Sequence, residues 1–301
     1  MSDIGRSATT NPDAFDAYLQ GRKFLYQYNR RGIEFARQMF YRAIELDPNL
    51  ALGHAGIADC CSFVYMFVDR NSAHIDCAEK ESLRAMELDP QLAQAHVSYA
   101  VTLSLIGRVE ESNRSFMRAI ELDPNLFEAQ FFYARERFMA GDLEEAAELF
   151  ERAMQVRPED YQAPMIVAQV YDALGRSADA EAVRRRGINL AEERMKRNPD
   201  DIRAMYMSAN VLVMIGEREQ GLERARRALS LEPDDAMLLY NLGCIFSLSG
   251  EVEEAIDCLE ASVRIGNIQK AWYDNDGNLN PLREHPKFRK LMRRLDELQA
   301  G

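Results

Sequence analysis

The residues best suited to bind a metal ion lie close together between positions 54 and 77. His54, Cys60, Cys61, His74 and Cys77 offer the nitrogen and sulfur atoms that bind soft metals. His74 and Cys77 are three residues apart, so a helix would place them on one face. A free cysteine also packs well as a small apolar residue. We therefore favour a structural role for this group and keep a metal or small-ligand site as an alternative.

Other patterns of catalytic or binding chemistry are missing from the sequence. It has no glycine-rich phosphate loop, no nucleophile elbow, no HExxH and no paired CxxC. The segment DNDGN at 274–278 resembles part of a calcium loop, but Trp272 and Arg283 would occupy two of the ligand positions. A turn is expected there instead. We predict no catalytic residues, no cofactor and no enzymatic activity.

The charge of the chain argues against several classes of partner. Its 301 residues carry a formal net charge of −12, whereas nucleic acids and anionic membranes attract concentrated positive charge. The first eleven residues are polar, and no apolar run is long enough for membrane insertion. Five cysteines without paired spacing indicate a reducing compartment. The expected location is the cytoplasm, with no nucleic-acid partner.

A repeated sequence indicates which secondary-structure elements the chain forms. RAIELDPNL occurs at 42–50 and at 118–126, and its variant RAMELDPQL occurs at 84–92. Six prolines recur at steps of 42, 34, 34, 41 and 34 residues, namely Pro48, Pro90, Pro124, Pro158, Pro199 and Pro233. Five glycines give the same period independently, namely Gly107, Gly141, Gly175, Gly216 and Gly250. A unit of 34 residues holds two helices.

Segment 127–158 indicates why each unit is a helical hairpin. Apolar residues recur at helical spacing on both sides of Gly141, which can adopt the left-handed conformation that ends a helix. Small residues at Ala134 and Ala146 would let the two helices approach closely. Pro158 prevents continuation of the second helix. Five residues are placed to cap the helices that follow, namely Asn49, Asn125, Asp160, Asp201 and Asp235.

These units resemble the tetratricopeptide repeat. The family pattern has a large residue, Leu-Gly and Tyr in the first helix, then Ala, Phe, Ala and Pro in the second. Three copies match it through His96, Tyr99, Ala100, Leu103, Phe116, Ala119 and Pro124; Tyr133, Ala134, Ala146, Phe150, Ala153 and Pro158; and Leu242, Gly243, Phe246, Ala255 and Leu259. Seven copies cover roughly residues 14–267. The resemblance implies an all-α, right-handed superhelical solenoid of about seven helix-turn-helix repeats with a C-terminal capping helix.

The expected organisation has three parts: a flexible N-terminus at 1–11, the seven-unit array at 12–267 and a C-terminal cap at 268–301. Insertions fall near 63–74 and 185–197, with a loop at 69–73 and a second helix extended from Ala178 to about Lys196. Residues 286–298 are predicted to form the capping helix, which covers the array through Phe288, Leu291, Met292 and Leu295. LNPLREHPKF resembles the end of arrays attached to bacterial adenylate-cyclase-like proteins, Ser/Thr kinases and winged-helix regulators.

The resemblance also implies a binding surface. Known arrays of this family bind extended or helical peptides in a concave groove lined by the first helices. Carried over by register, the predicted lining residues are Phe15, Tyr18, Arg22, Tyr26, Asp59, Phe63, Glu128, Phe131, Arg135, Phe138, Met139, Met165, Gln169, Asp172, Arg203, Tyr206, Asn210, Met214, Met237, Tyr240 and Leu248. Aromatic residues and arginine are enriched at binding hot spots, and methionine adapts to varied partners.

Three functions remain open at this point. The first is a cytoplasmic scaffold, without enzymatic activity, that binds a peptide or helix of a partner protein in the concave groove. The second is self-association through the ends or the convex face of the array, which would give a homo-oligomer. The third is metal or small-ligand binding in the second repeat.

Overall fold

The computed structural model describes residues 9–27, 29–267 and 269–300. Residues 1–8 of the expected N-terminus, and 268 and 301 of the expected cap, lie outside this range. Every regular element within the described ranges is helical, and the helices pack in consecutive pairs. The fold is an all-α repeat solenoid, as the sequence predicted.

The chain divides into two compact units, of which the first ends at Glu181. This unit contains four hairpins and one further helix. Their helices are α1 (Pro12–Leu25) and α2 (Arg30–Leu46), α3 (Ala51–Phe67) and α4 (Ser72–Leu88), α5 (Ala93–Leu105) and α6 (Val109–Leu122), α7 (Phe127–Ala140) and α8 (Leu143–Val156), and α9 (Gln162–Ala173). The first helices α1, α3, α5 and α7 pack side by side in sequence order.

The second unit begins at Ala182, inside helix α10 (Ser177–Arg197). It contains two complete hairpins followed by three short or terminal helices. These are α11 (Ile202–Met214) and α12 (Arg218–Leu231), α13 (Ala236–Leu248) and α14 (Val252–Ile265), then α15 (Lys270–Asn275), a 3-10 helix (Gly277–Leu282) and α16 (Pro286–Ala300). The extended second helix predicted for this region is confirmed by α10.

The repeating glycines end the first helices as predicted. All five adopt the left-handed conformation, with φ between 73° and 88°. In the fourth hairpin, Gly141 is the C-cap of α7, and its N–H donates to the carbonyls of Arg137 and Phe138. A side chain at this φ would be strained, which is why the period of the repeat is marked by glycine.

The helix caps were predicted only in part. Asp160, Asp201 and Asp235 accept hydrogen bonds from backbone N–H groups of the helices that follow them. Asn49 and Asn125 do not, and those predictions were wrong. Their own N–H groups donate to the side chains of Asp47 and Asp123, so the turn delays the helix start by one residue.

Close helix crossings set the geometry of each hairpin. Alanines at the crossings are fully buried, including Ala134, Ala146 and Ala153. A Cβ added to Gly21 of α1 would lie 2.5 Å from Cε1 of Phe40 on α2, and one added to Gly243 of α13 would lie 2.6 Å from Cδ2 of Leu259 on α14. Larger residues would push the helices apart, so small residues at these positions fix the distance between neighbouring helices.

The C-terminal segment packs on the last hairpin. Phe288, Leu291 and Leu295 of α16 are buried in one core cluster with residues of α13 and α14, and Met292 packs against it. The predicted capping helix is therefore confirmed. Helix α16 therefore covers apolar residues of α13 and α14.

The second hairpin contains a disulfide between Cys61 of α3 and Cys77 of α4, whose Cα atoms are 6.2 Å apart. The spacing of sixteen residues along the chain gave no sequence signal, because the pairing depends on how the two helices pack. Cys60, Cys244 and Cys258 are free and buried.

The disulfide gives a direct chemical prediction. Alkylation of the protein in denaturant without reductant should label three cysteines, and alkylation after reduction should label five, counted by intact mass. Reduction should also lower the free energy of unfolding by about 2–4 kcal/mol, because the loop in the unfolded chain is released. Cys258→Ser is the control, since it should lower both counts by one. Five labels before reduction would contradict the pairing.

Candidate functional site

Several predicted lining residues of the first unit converge on one polar cluster. Arg22 and Tyr26 come from the first hairpin, whereas Glu128 comes from the fourth, 106 residues from Arg22 along the chain. Their side chains meet although two hairpins lie between them along the chain, and the first helices α1, α3, α5 and α7 pack side by side in order. Arg157, which follows α8, completes the group. We call Arg22, Tyr26, Glu128 and Arg157 the arginine–glutamate cluster.

Glu128 is the centre of this cluster. Its Oε1 accepts from Nη2 of Arg22 and from Nη2 of Arg157, each at 3.1 Å. The hydroxyl of Tyr26 also donates to Oε1, and it accepts in turn from Nη2 of Arg22. The Glu128 side chain is 7% exposed. A buried carboxylate with two guanidinium partners is therefore held inside the unit.

Aromatic rings fix the two guanidinium groups in place. The guanidinium carbon of Arg157 lies 4.0 Å from the ring centre of Phe127 and 5.5 Å from that of Tyr26. Arg22 lies 5.0 Å from the Tyr26 ring, and its Nη1 donates to the Tyr18 hydroxyl at 2.9 Å. Such stacking orients a planar guanidinium without using its hydrogen-bond donors.

The charges around Glu128 determine its protonation. Burial alone would raise the pKa of Glu128, but the positive charges of Arg22 and Arg157 and the Tyr26 hydrogen bond outweigh burial and hold the pKa below its usual value. Burial and the Glu128 charge also raise the pKa of Tyr26. At neutral pH the cluster consequently contains a carboxylate, two guanidinium ions and a neutral phenol.

Asp59 of α3 forms a second polar group in the same unit. Its Oδ1 accepts from the Ser98 hydroxyl at 2.6 Å, and its Oδ2 accepts from Nε2 of Gln94 at 3.2 Å. Burial raises the pKa of Asp59 to about 7, although the Ser98 hydrogen bond and the charge of Arg22 act in the opposite direction. Asp59 therefore exchanges a proton near neutral pH.

Three aromatic residues of the predicted lining in the first unit are buried among other side chains. Tyr18 and Phe63 are 4% and 6% exposed, and Phe131 is 3% exposed. The Phe131 ring lies 5.2 Å from that of Phe127 and 5.9 Å from that of Phe150 on α8. These rings stabilise the hairpins and offer little surface to another molecule.

Other predicted lining residues of the first unit keep accessible surface. Phe15, Arg22, Tyr26, Asp59, Arg135 and Phe138 are partly exposed, and Met139 is 80% exposed. On α9, Met165 is buried, whereas Gln169 and Asp172 are exposed. The accessible set near α7 thus combines an aromatic ring, a thioether and a cation.

In the second unit, the predicted lining is largely used by the chain itself. Tyr240 is 6% exposed, packs against Trp272 and Tyr273, and donates its hydroxyl to Asp276 at 3.0 Å. Tyr206 is 8% exposed, and its hydroxyl accepts from Nη1 of Arg203 at 3.3 Å. Three other predicted lining residues of this unit are partly exposed, namely Asn210, Met237 and Leu248. Met214 is 47% exposed.

Sequence reasoning missed Gln94, Ser98 and Arg157. Arg157 had a signal, because it stands before a repeat proline where three other units have aspartate, namely Asp47, Asp89 and Asp123. Those aspartates accept a backbone N–H two residues later, whereas Arg157 extends to Glu128. Gln94 and Ser98 lie in the third hairpin, for which no lining had been predicted.

The second hairpin does not form the alternative metal site. Cys61 and Cys77 are joined by the disulfide, so neither has a thiolate to offer. His54 Nδ1 lies 2.6 Å from Glu81, and His74 lies beside Asp69. Within the described ranges, no group of three or more His, Cys, Asp and Glu residues is arranged to hold a metal. At the DNDGN segment, Asp276 caps the 3-10 helix and accepts from the N–H of Asn278, which confirms a turn.

Two family models, both described as tetratricopeptide repeat, match the chain. One matches residues 106–155 and 206–267, and the other matches residues 137–188. No curated protein matches the chain as a whole or in part. Among the described residues, no helix is long and apolar enough to cross a bilayer.

Solved structures of human IFIT1 share the fold. One is a dimer with m7Gppp-AAAA, with 16% identity over 89% of this chain and 67% of that chain, and a TM-score of 0.59. Another is a dimer with PPP-AAAA, with 15% identity over 90% of this chain and 69% of that chain, and a TM-score of 0.58. A monomeric IFIT1 mutant with Gppp-AAAA has 14% identity over 89% of this chain and 68% of that chain, and a TM-score of 0.59.

The arginine–glutamate cluster predicts a stability effect that depends on pH. Glu128→Gln should lower the free energy of unfolding by about 2–4 kcal/mol at pH 7, because two guanidinium groups lose their shared carboxylate. The native pKa of Glu128 is lowered, so its contribution is complete above its unfolded pKa of about 4.3 and is lost as the pH falls through the native value. Wild type and variant should therefore converge in acid.

Glu121→Gln is the matched control for this experiment. Glu121 pairs with Arg118 on the surface of α6, and its side chain is 66% exposed. Its loss should change the free energy of unfolding by about 0.5 kcal/mol or less. Equal effects of the two substitutions in urea denaturation would contradict the account of Glu128.

The raised pKa of Asp59 should make the free energy of unfolding depend on pH in the direction opposite to that of Glu128. Its pKa is raised in the folded state, so the unfolded chain releases this proton at lower pH, and stability falls as the pH rises from about 4 to about 7. Asp59→Asn should remove that fall and melt at a higher temperature than wild type at pH 8, measured by circular dichroism. If the Gln94 amide turns over, the new amide group can donate to its Oε1, which has no partner within the described ranges. Asp76→Asn, at an exposed site on α4, is the control. An unchanged pH profile for Asp59→Asn would refute this assignment.

Proposed function

We propose that this chain, whose repeats match two tetratricopeptide repeat models, is a non-enzymatic scaffold that binds a peptide or helix of a partner protein in a concave groove. Tetratricopeptide repeats typically serve as scaffolds of this kind. The proposal concerns the first unit, where the first helices of four successive hairpins lie side by side.

The observation that carries the proposal is the convergence of Arg22, Tyr26 and Glu128 from hairpins far apart in the chain. It supports a shared interior lined by the first helices, as the register of the repeat requires. The two guanidinium groups that hold Glu128 also indicate which chemistry this interior favours. Two guanidinium groups and one carboxylate leave one positive charge in excess, which would favour a carboxylate group of a partner.

Accessible apolar residues supply the other part of the binding energy. Phe138 and Met139 lie at the end of α7, and Phe15 lies near the start of α1. Burial of one such side chain contributes about 1.5–3 kcal/mol. Two or three of them, with one charged contact, would approach the roughly 8 kcal/mol of micromolar binding.

A protein partner is favoured over a nucleic acid. The oligonucleotide-like ligands named with IFIT1 belong to IFIT1, whose identity with this chain is 14–16%. The net charge of −12 of this chain would repel a polyanion. Protein segments carry far lower charge density, so this repulsion does not apply to them.

A cytoplasmic location remains part of the proposal. It was inferred in part from unpaired cysteines, and the Cys61–Cys77 disulfide withdraws that support. Disulfides are rare in cytosolic proteins. The thiol count of protein taken directly from the native cell and trapped by alkylation therefore bears on location as well as on structure.

Site-specific photo-crosslinking tests the proposed groove. Benzoylphenylalanine is placed at Met139, a lining position on α7, or at Met117, an exposed position on the second helix α6. A partner identified by purification from the native cell should crosslink at position 139 and not at 117. Crosslinking at 117 alone, or at both positions equally, would contradict binding in the groove.

A substitution supports the same test quantitatively. Phe138→Ala should weaken binding of that partner about tenfold or more, because one aromatic anchor is lost. The melting temperature should stay within a few degrees of wild type, since Phe138 is only partly buried. A large fall in the melting temperature of Phe138→Ala would show instead that Phe138 belongs to the folded core.

A further inference from the structure

A cavity of ≈ 560 Å³ lies in the second unit, between the end of α10, the start of α11 and helix α12. Its apolar wall includes Met195, Pro199 and Met205. Met205 is 1% exposed, and Met195 packs against the core of the unit. The volume lies in the range of cavities that bind small ligands or side chains. None of the predicted groove-lining residues belongs to it.

The extension of α10 creates one side of this cavity. Helix α10 has 21 residues, whereas α12 and α14 have 14. A helix of 14 residues from Ser177 would end at position 190, so the added part is residues 191–197. These seven residues add about 10 Å of helix. Glu192, Met195 and Lys196 of the cavity wall all lie on the added part.

Two arginines of α12 face the cavity with much of their hydrogen-bonding capacity unused. Arg224 donates through Nη2 to Glu192, and its Nη1 has no partner in the part of the chain that the structure describes. Arg227 donates through Nη2 to the carbonyl of Pro199 at 3.2 Å. Each guanidinium has five N–H donors. A ligand with a carboxylate at the cavity mouth would find both groups within three residues on one helix face.

The segment that contributes the cavity residues carries a net positive charge. Residues 184–227 contain eleven Lys and Arg and seven Asp and Glu, a net charge of +4. The whole chain has a net charge of −12, so the rest carries −16. An exposed cation, Arg197, lies beyond the cavity on α10. A ligand longer than the cavity would therefore gain further attraction.

Two carboxylates also line the cavity, and they limit what it can attract. Glu192 is paired with Arg224, so its charge is compensated. Glu223 is exposed at the rim, one turn before Arg227 on α12. Lys196, which also lines the cavity, pairs with Glu193 at 2.6 Å. The cavity lining contains three cations and two carboxylates, which leaves one positive charge in excess.

We propose that this cavity is a second docking site, which binds an acidic segment of a partner protein by one apolar side chain and adjacent carboxylates. The apolar side chain packs against Met195 and Met205, and the carboxylates bind Arg224 and Arg227. The site goes beyond the proposed groove, because it is formed by other residues in the second unit. An experiment that rules out binding at this cavity would therefore leave the proposed groove in the first unit untested, and the reverse also holds.

Methionine-methyl NMR of the full chain tests this proposal. The probes are short synthetic peptides of glutamates around one central leucine, phenylalanine or methionine. With 13C-methyl methionine, the resonances of Met195 and Met205 should shift and saturate, whereas that of Met139 in the first unit should not. Replacing the glutamates by glutamines, or the apolar residue by serine, should abolish the shifts at the same peptide concentration.

Two substitutions on one helix give the matched comparison. Arg227→Gln removes a cation at the cavity and should raise the Kd about tenfold or more. Arg226→Gln removes the neighbouring cation, which points to Glu254 at 2.9 and 3.0 Å, and should change the Kd about twofold or less. Both arginines are exposed, so both variants should fold, as circular dichroism would verify.

Several results would overturn the proposal. They are the absence of shifts at millimolar peptide, equal effects of the two substitutions, and equal binding of the glutamine peptides. Shifts of Met195 and Met205 that depend on protein concentration without any peptide would show that a second copy of the chain covers the cavity. Binding of a free fatty acid in preference to every peptide would assign the cavity to a small amphipathic carboxylate.

Discussion

The close approach of two helices within each hairpin is the constraint on which the rest of the structure depends. Buried alanine and glycine residues at the crossings leave no space between the helices for a larger side chain, and Gly21 and Gly243 each face a side chain of the paired helix across that contact. Large rings such as Phe116 and Phe150 then fill the space beside the crossings. Since this arrangement recurs about every 34 residues, each hairpin presents the same face to the next, and the chain stacks.

The polar cluster of the first unit is a consequence of that stacking. Glu128 and Arg22 belong to hairpins separated by two others, and neither could bury its charge without a partner. The cluster satisfies Glu128 with two guanidinium groups and a phenol, while aromatic rings hold the guanidinium groups. Asp59 is close to the same charges and is held by neutral donors, so its proton affinity rises where that of Glu128 falls. Two carboxyl groups in one interior thus differ in charge because their neighbours differ.

Features fixed by a single residue's backbone were predictable from the sequence. Gly141 ends α7 because its φ is positive, and Pro158 follows α8 because it cannot continue a helix. The caps at Asn49 and Asn125 were wrong because Asp47 and Asp123 engage their N–H groups first. Propensities for individual residues do not include this competition.

Features that depend on distant packing could not be predicted in the same way. The register of the repeat placed Arg22, Tyr26 and Glu128 on lining positions, yet their contact depends on a small rotation between hairpins that no local pattern encodes. Phe131 and Tyr206 satisfy the same register and are buried, because neighbouring elements cover them. The Cys61–Cys77 pair required the geometry of α3 against α4. At Arg157, by contrast, the repeats themselves gave a signal. An arginine stands there in place of the aspartate that precedes the proline in three other repeats, and its side chain binds Glu128.

The central claim is that the first and fourth hairpins meet through Arg22 and Glu128. A double-mutant cycle with Arg22→Gln and Glu128→Gln, measured by urea unfolding at pH 7, tests it most directly, because urea does not screen charges. The account predicts a coupling energy of about 1–3 kcal/mol between the two positions. Effects that add to within about 0.3 kcal/mol would mean that the two side chains do not interact, and the shared interior of the first unit would lose its support.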